Sequence, residues 1–145
     1  MKIKVIEDPD LDCDLTLTCK VLTPEIESMI EHLKRKSITV EHRGSDLQLD
    51  LRSIIFFETY EDYVYAHLCD TFYKTRFKLY ELLELLPANF IRISKSCIVN
   101  LNQISGYDSN LTSSRTVRFY NTEKLNYASR MYFHNLKLKL NERSL

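Results

Sequence analysis

Two short polar sites carry the side chains best suited to meeting a phosphate. Ser94-Lys95-Ser96 lies between the strand-like runs Phe90-Ile91-Arg92-Ile93 and Cys97-Ile98-Val99. Ser129-Arg130 stands where a last strand-like run meets a last helical one. Hydroxyls donate and accept, whereas ammonium and guanidinium only donate, so these groups match phosphate oxygens and base edges. A helix N-terminus adds free backbone amides to the second site. Each site also has a plainer reading. The first is a hairpin tip with a solvated lysine, the second a helix-capping serine followed by a surface arginine.

Covalent chemistry has little to stand on. Two glycines in the chain leave no phosphate-cradling loop, and neither HExxH nor GxSxG occurs. His32, His42, His67 and His134 stand apart, and Glu61-Asp62 reads as loop punctuation rather than an acid–base pair. Cys13, Cys19, Cys69 and Cys97 form no CxxC pair, and no histidine stands at finger spacing from two of them. They are expected as small reduced hydrophobes, with no metal and no cofactor. The acidic loop Glu7, Asp8, Asp10, Asp12 and Asp14 lacks the glycine and terminal glutamate of a calcium loop. No enzyme is expected.

The elements that must position the two polar sites follow from periodicity. The 145 residues suit one domain with a full core, and a hydrophobic content of 44% with few Gly or Pro argues against disorder. No apolar run approaches a membrane span, and MKIKVIEDPD lacks the apolar core of a signal peptide, so a cytoplasmic location is expected. Net charge is zero but unevenly placed. Met1 to Leu86 holds 11 Lys+Arg against 17 Asp+Glu, a balance of −6. Pro87 to Leu145 holds 9 against 3, a balance of +6, which suggests a polyanion-binding face.

Lys2 to Ile6 and Leu15 to Val21 alternate apolar with polar and predict two strands. Thr23-Pro24 opens a helix whose stripe is Ile26, Met29, Ile30 and Leu33, with Lys34, Arg35 and Lys36 at its negative end. From Ser37 the pattern is almost all β: Ile38 and Val40, a turn at Arg43 to Asp46, then Leu47, Leu49 and Leu51. The unbroken run Ile54 to Phe57 predicts a strand buried on both faces, followed by strands at Tyr63 to Leu68 and Phe72 to Phe77. Leu79, Leu82, Leu83 and Leu86 make a short helix ended by Pro87. The run from Cys97 is expected to continue through Leu101 to Ile104, with a loop at Tyr107 to Asn110. Arg115 to Tyr120 and Leu125 to Ala128 are the last strands, and Met131 to Leu140 a helix with Phe133, Leu136 and Leu140 aligned. The fold class is therefore mainly β with short helices (α+β). Residues 1–36 form an N-terminal ββα unit and residues 37–145 the main domain.

Phe90-x-Arg-x-Ser-Lys-Ser-x-Ile-Val-Asn-Leu-x-x-Ile, preceded by a Leu-rich helix ending in Leu86-Pro87, resembles the signature of LytTR-type DNA-binding domains. Ile55-Phe56-Phe57-Glu58 upstream and Ser129-Arg130-x-Tyr132 downstream fit in order, so the resemblance covers about Ser37 to Leu140. It implies a set of small antiparallel β-sheets whose loops enter successive major grooves. Those loops are Glu61 to Tyr63, Ser94 to Ser96 and Ser129 to Met131. The implied contact residues are Tyr63, Arg92, Ser94, Lys95, Ser96, Ser129, Arg130 and Tyr132. Ser94-Lys95 stands where many members have His-Arg, and Met131 where a basic residue is frequent. In this the chain is similar to short stand-alone regulators of Firmicutes, some encoded beside a small membrane protein that antagonises them.

The expected function is thus a sequence-specific transcriptional regulator that binds double-stranded DNA, with a homodimer on paired sites. The N-terminal unit is the expected self-association or regulatory segment. The alternative is a β-rich interaction module docking an acidic partner through its basic C-terminal half. A third reading, an RNA binder, needs exposed aromatics for stacking, for which Tyr63, Tyr107 and Tyr132 are the candidates.

Overall fold

The computed structural model describes residues 1–13, 15–34, 37–108 and 115–143. Asp14 of the acidic loop, Arg35 and Lys36 of the expected basic helix end, and Ser109 and Asn110 lie outside the described residues.

Helix α1 (Pro24–Lys34) starts where the sequence places it, with the Ile26 amide donating to Thr23 Oγ1 at 3.3 Å. Ile26, Ile30 and Leu33 are half-buried and Met29 is exposed. The two strands expected before it are absent: the described residues from 1 to 23 carry no strand. Ile3, Val5, Ile6, Leu15, Leu17 and Val21 are 56–84% exposed. A strand is stabilised by a neighbour that takes its amides, carbonyls and cross-strand side chains, and none of the described residues pairs with this segment. The ββα expectation is therefore corrected to a helix preceded by irregular chain. Cys13 and Cys19, expected buried, are exposed for the same reason, while Cys97 is buried.

The main body holds ten strands among the described residues. A hairpin of β1 (Ser37–His42) and β2 (Ser45–Asp50) turns at Arg43-Gly44, with φ of 50° and 79°. A two-residue hairpin loop of this kind needs positive φ at both positions, which Gly44 supplies without cost. Next come β3 (Phe56–Tyr60), β4 (Tyr63–His67), β5 (Phe72–Lys74), α2 (Leu79–Leu85), β6 (Phe90–Ser94) and β7 (Cys97–Asn100). These strands form one antiparallel sheet in the order β2-β1-β5-β4-β3-β7-β6. Strands β8 (Ile104–Tyr107), β9 (Arg115–Phe119) and β10 (Leu125–Ala128) form a second sheet, and α3 (Arg130–Arg143) closes the chain.

The run from Cys97 to Ile104 is not one strand. Asn100 is buried, its Nδ2 donating to the Ile54 carbonyl at 2.9 Å and its Oδ1 accepting from the Asn102 amide at 3.1 Å. That side chain caps a single 3-10 turn, Leu101–Gln103, which carries the chain out of the first sheet and into the second.

Strands β3, β6 and β7 are packed on both faces, which explains the unbroken Ile54 to Phe57 run. On one face Ile54, Phe57, Phe90 and Ile98 meet Leu79 and Leu82 of α2. On the other, Ile55, Phe56, Ile93 and Val99 meet Val117 and Phe119 of β9 and Phe133, Leu136 and Leu140 of α3. Leu83, expected within the apolar stripe of α2, is exposed. The Arg143 guanidinium fixes the end of α3 by donating to the Leu101 and Ile104 carbonyls.

Candidate nucleic-acid interface

Strand register brings the three polar tips together. One row of paired residues crosses the whole first sheet: Asp46, Glu41, Lys74, Tyr65, Glu58, Cys97 and Ser94. Below that row the chain reverses at Glu61-Asp62, between β3 and β4, and at Lys95-Ser96, between β6 and β7. Alternating strand directions put both reversals at the same end of the sheet and Arg43-Gly44 at the other. The Thr59 amide donates to the Ser96 carbonyl at 2.8 Å, tying the first two tips. The third tip joins through the Ser129 amide, which donates to the Ile93 carbonyl at 2.8 Å. That carbonyl is presented where the β6–β7 register shifts between Arg92 and Ser94. An irregularity of this kind re-aims the strand end, here toward the start of α3.

The Lys95-Ser96 tip is braced internally. Arg92 is half-buried and its Nη2 donates to the Lys95 carbonyl at 3.1 Å. The Ser96 amide donates to Ser94 Oγ at 3.2 Å, and the two serine hydroxyls are 3.3 Å apart. Lys95 and Ser96 are exposed. At the third tip the Ser129 carbonyl accepts from the Tyr132 and Phe133 amides at 3.1 and 3.0 Å, starting α3. The Ser129 hydroxyl does not cap the helix; it is buried with no hydrogen-bond partner among the described residues. Arg130 and Met131 are exposed and Tyr132 is half-buried.

Beneath the tips, Asn126 of β10 donates through Nδ2 to Glu58 Oε2 of β3 at 2.6 Å, linking the two sheets. Cys97 lies under the same roof. Burial, reinforced by the Glu58 carboxylate, pushes its thiol well above the usual range, so it is inert. At the first tip Tyr63 is exposed, with Lys74 Nζ 3.5 Å from its ring centroid. Lys78 Nζ donates to the Asp62 carbonyl at 3.4 Å.

The basic surplus of the C-terminal half resolves into used and unused charge. Arg118 forks onto Asp108 with bonds of 2.8 and 2.7 Å, and Lys139 faces Glu142 at 3.6 Å. Lys124 donates to the Thr71 carbonyl at 2.7 Å. Lys95 and Arg130 have no ion pair among the described residues, and both stand at the shared end. Of the residues expected from sequence, Tyr63, Lys95, Ser96 and Arg130 offer exposed side chains. Arg92 and Ser94 shape a tip, and Ser129 acts through its backbone.

Lys74, Lys78 and the Glu58–Asn126 pair were not legible in the sequence, because strand register places Lys74, and contacts between residues distant in sequence place the others, beside the tips. Among the described residues no cluster of three or more His, Cys, Asp or Glu is placed to hold a metal. No described helix is long and apolar enough to cross a membrane. A cleft of about 470 Å³, with Leu33, Leu51, Phe90, Asn100 and Gln103 among its lining residues, contains none of the tip residues.

The family model of the LytTr DNA-binding domain matches residues 45–141. No curated protein matches the chain. Among solved structures the chain is similar to the LytTr DNA-binding domain of a Bacillus cereus protein described as a methyl-accepting/DNA response regulator. The TM-score is 0.63 at 22% identity, over 70% of this chain and 96% of that one. At that identity the likeness speaks for the fold, two antiparallel sheets with short helices. The family match spans all three tips and more than half of the chain, and with it the chain belongs to the LytTr DNA-binding domain family.

Proposed function

We propose that this protein is a sequence-specific regulator of transcription that inserts its three clustered tips into successive major grooves of double-stranded DNA. The observation that carries the reading is the convergence of Glu61-Asp62, Lys95-Ser96 and Ser129-Arg130 at one end of the sheet, with Lys95 and Arg130 in no ion pair among the described residues. Arginine can give guanine two parallel hydrogen bonds, whereas lysine is a flexible point charge shared between base and phosphate. Residues 37–145 are the DNA-binding body in this reading. Residues 1–36 hold two copies together on a paired site, offering Ile3, Val5, Leu15, Leu17 and Met29 as apolar surface.

Fluorescence anisotropy over a salt series, with specific and scrambled duplexes, tests it. Arg130→Ala loses affinity mainly for the specific site, by ~1–3 kcal/mol, and relaxes preference at one base position. Lys95→Ala weakens both duplexes, and its logarithmic salt slope shrinks by roughly 0.9 for one lost phosphate contact. Unchanged affinity for every duplex in two well-folded variants removes these tips from the DNA surface. Retained binding to an acidic protein would then favour the interaction-module reading.

A further inference from the structure

Glu61 combines two features at the first tip. It sits at the first position of the β3–β4 reversal with φ of +55°, a region that L side chains other than Asn and Asp rarely occupy. Asn or Gly in its place would relieve that strain, so a glutamate here is held against local preference. Its carboxylate is also exposed and has no ion pair or hydrogen bond among the described residues. The nearby cations are engaged elsewhere. Lys78 donates to the Asp62 carbonyl, and Lys74 lies over the Tyr63 ring and 3.8 Å from Glu41. Along the strands Glu41 and Asp46 pair with Arg76 and Asp50 with Arg52, whereas the Asp62 carboxylate beside Glu61 also has no ion pair among the described residues. Of the two tip carboxylates only Glu61 has the positive φ.

An unpaired carboxylate at the end of the molecule that carries Lys95 and Arg130 repels a phosphate backbone. It becomes favourable only where it meets a hydrogen-bond donor. In the major groove the donors are the exocyclic amino groups of cytosine and adenine. Adenine presents an acceptor, N7, beside its amino group, which suits an amide and repels a carboxylate. Guanine and thymine present acceptors at the corresponding positions. We infer that Glu61 is a specificity residue that accepts a hydrogen bond from the N4 amino group of one cytosine and rejects the other bases by repulsion. The inference rests on the DNA-binding reading above and deepens it at the first tip. Strain at the tip and an unpaired charge are the two features it explains together.

The experiment measures binding of the full chain to a set of duplexes carrying each base at each position of the site. Wild type shows one position where cytosine is preferred. Glu61→Gln shifts that position toward adenine, with a loss of about tenfold in cytosine preference. Its affinity for scrambled duplex rises, since one repulsive charge is gone. Glu61→Asn, which suits the left-handed turn, loses the same preference with thermal stability kept or raised, separating recognition from folding. If the base profile is unchanged in both folded variants while Arg130→Ala relaxes its own position, Glu61 is no reader and the DNA-binding reading stands. If Glu61→Gln, Lys95→Ala and Arg130→Ala all leave every duplex unaffected, the DNA-binding reading falls and this inference with it.

Discussion

Leu15, Leu17 and Val21 alternate with polar residues as regularly as Val117 and Phe119 do, yet the first three are 56–69% exposed and the last two 0–4%. The difference is what stands beside them. β9 lies between β8 and β10, and its inward face meets α3 and the first sheet. The segment before α1 has no strand next to it among the described residues. A two-residue period states which face would be buried; it does not supply the neighbour that buries it.

The largest effect expected from this contrast is on stability. Leu136 is fully buried between α3 and the sheets, so Leu136→Ala removes packed methyl groups and leaves a cavity. It should cost ~2–5 kcal/mol. Leu17→Ala, on the same residue type, should stay within about 0.5 kcal/mol. Denaturant midpoints measured at one low protein concentration check both. Similar losses at the two positions would mean that the N-terminal segment is folded against something, and the contrast would break.

The same contrast explains how far the sequence could be read. The burial of Ile54 to Phe57, Leu79 and Leu82 of the α2 stripe, the α3 stripe and the hairpin at Phe90 to Asn100 were legible because each pattern sits next to its own partner along the chain or carries a distinctive motif, although β3 itself starts only at Phe56 and Leu83 of the α2 stripe is exposed. The turn at Leu101–Gln103 was hidden, since it depends on a buried Asn100 side chain whose partner Ile54 is far away in sequence. The candidate contact residues were legible as a family motif. Their division of labour was not, because Arg92 and Ser94 look as available in sequence as Lys95 until the bracing hydrogen bonds are seen. Glu61 read as punctuation, and only its φ and its end of the sheet single it out.

A middle-sized effect concerns pH within the body itself. The His67 ring stacks on Phe56 at 4.5 Å and on Phe72 at 5.3 Å, with Lys124 Nζ 3.3 Å from Nδ1. Burial first, then the Lys124 charge, lowers its pKa from 6.5 to about 4. The unfolded chain therefore takes up a proton near pH 6.5 that the folded chain refuses until about pH 4. This contribution is fully present above pH 6.5 and is lost as pH falls through that window. His67 is only half-buried, so solvent screening reduces the full linkage value to roughly 1–2 kcal/mol. Comparing wild type with His67→Gln at pH 7 and pH 4.5 isolates it from the carboxylates. Equal acid losses in the two proteins would show that His67 titrates normally and that this packing is looser than its ring distances imply.

The smallest effect on the body, and the one that bears most on assembly, comes from removing residues 1–22 while keeping Thr23 and α1. None of these residues belongs to a described strand, and their apolar side chains are mostly exposed, so the midpoint of the truncated chain should move by less than about 0.5 kcal/mol. Binding to a single DNA element should be unchanged for the same reason, since the three tips lie wholly in the retained body. A two-element site is different. If the exposed alternating residues complete a strand pair between two copies, the full chain gains affinity from the second element that the truncated chain does not. Sedimentation at rising concentration and anisotropy on one-element and two-element duplexes separate the cases. Equal cooperativity with and without the segment, alongside an unchanged monomer in both, would remove self-association from residues 1–22. An unfolded truncation would instead make those residues part of the body's core, which their exposure argues against.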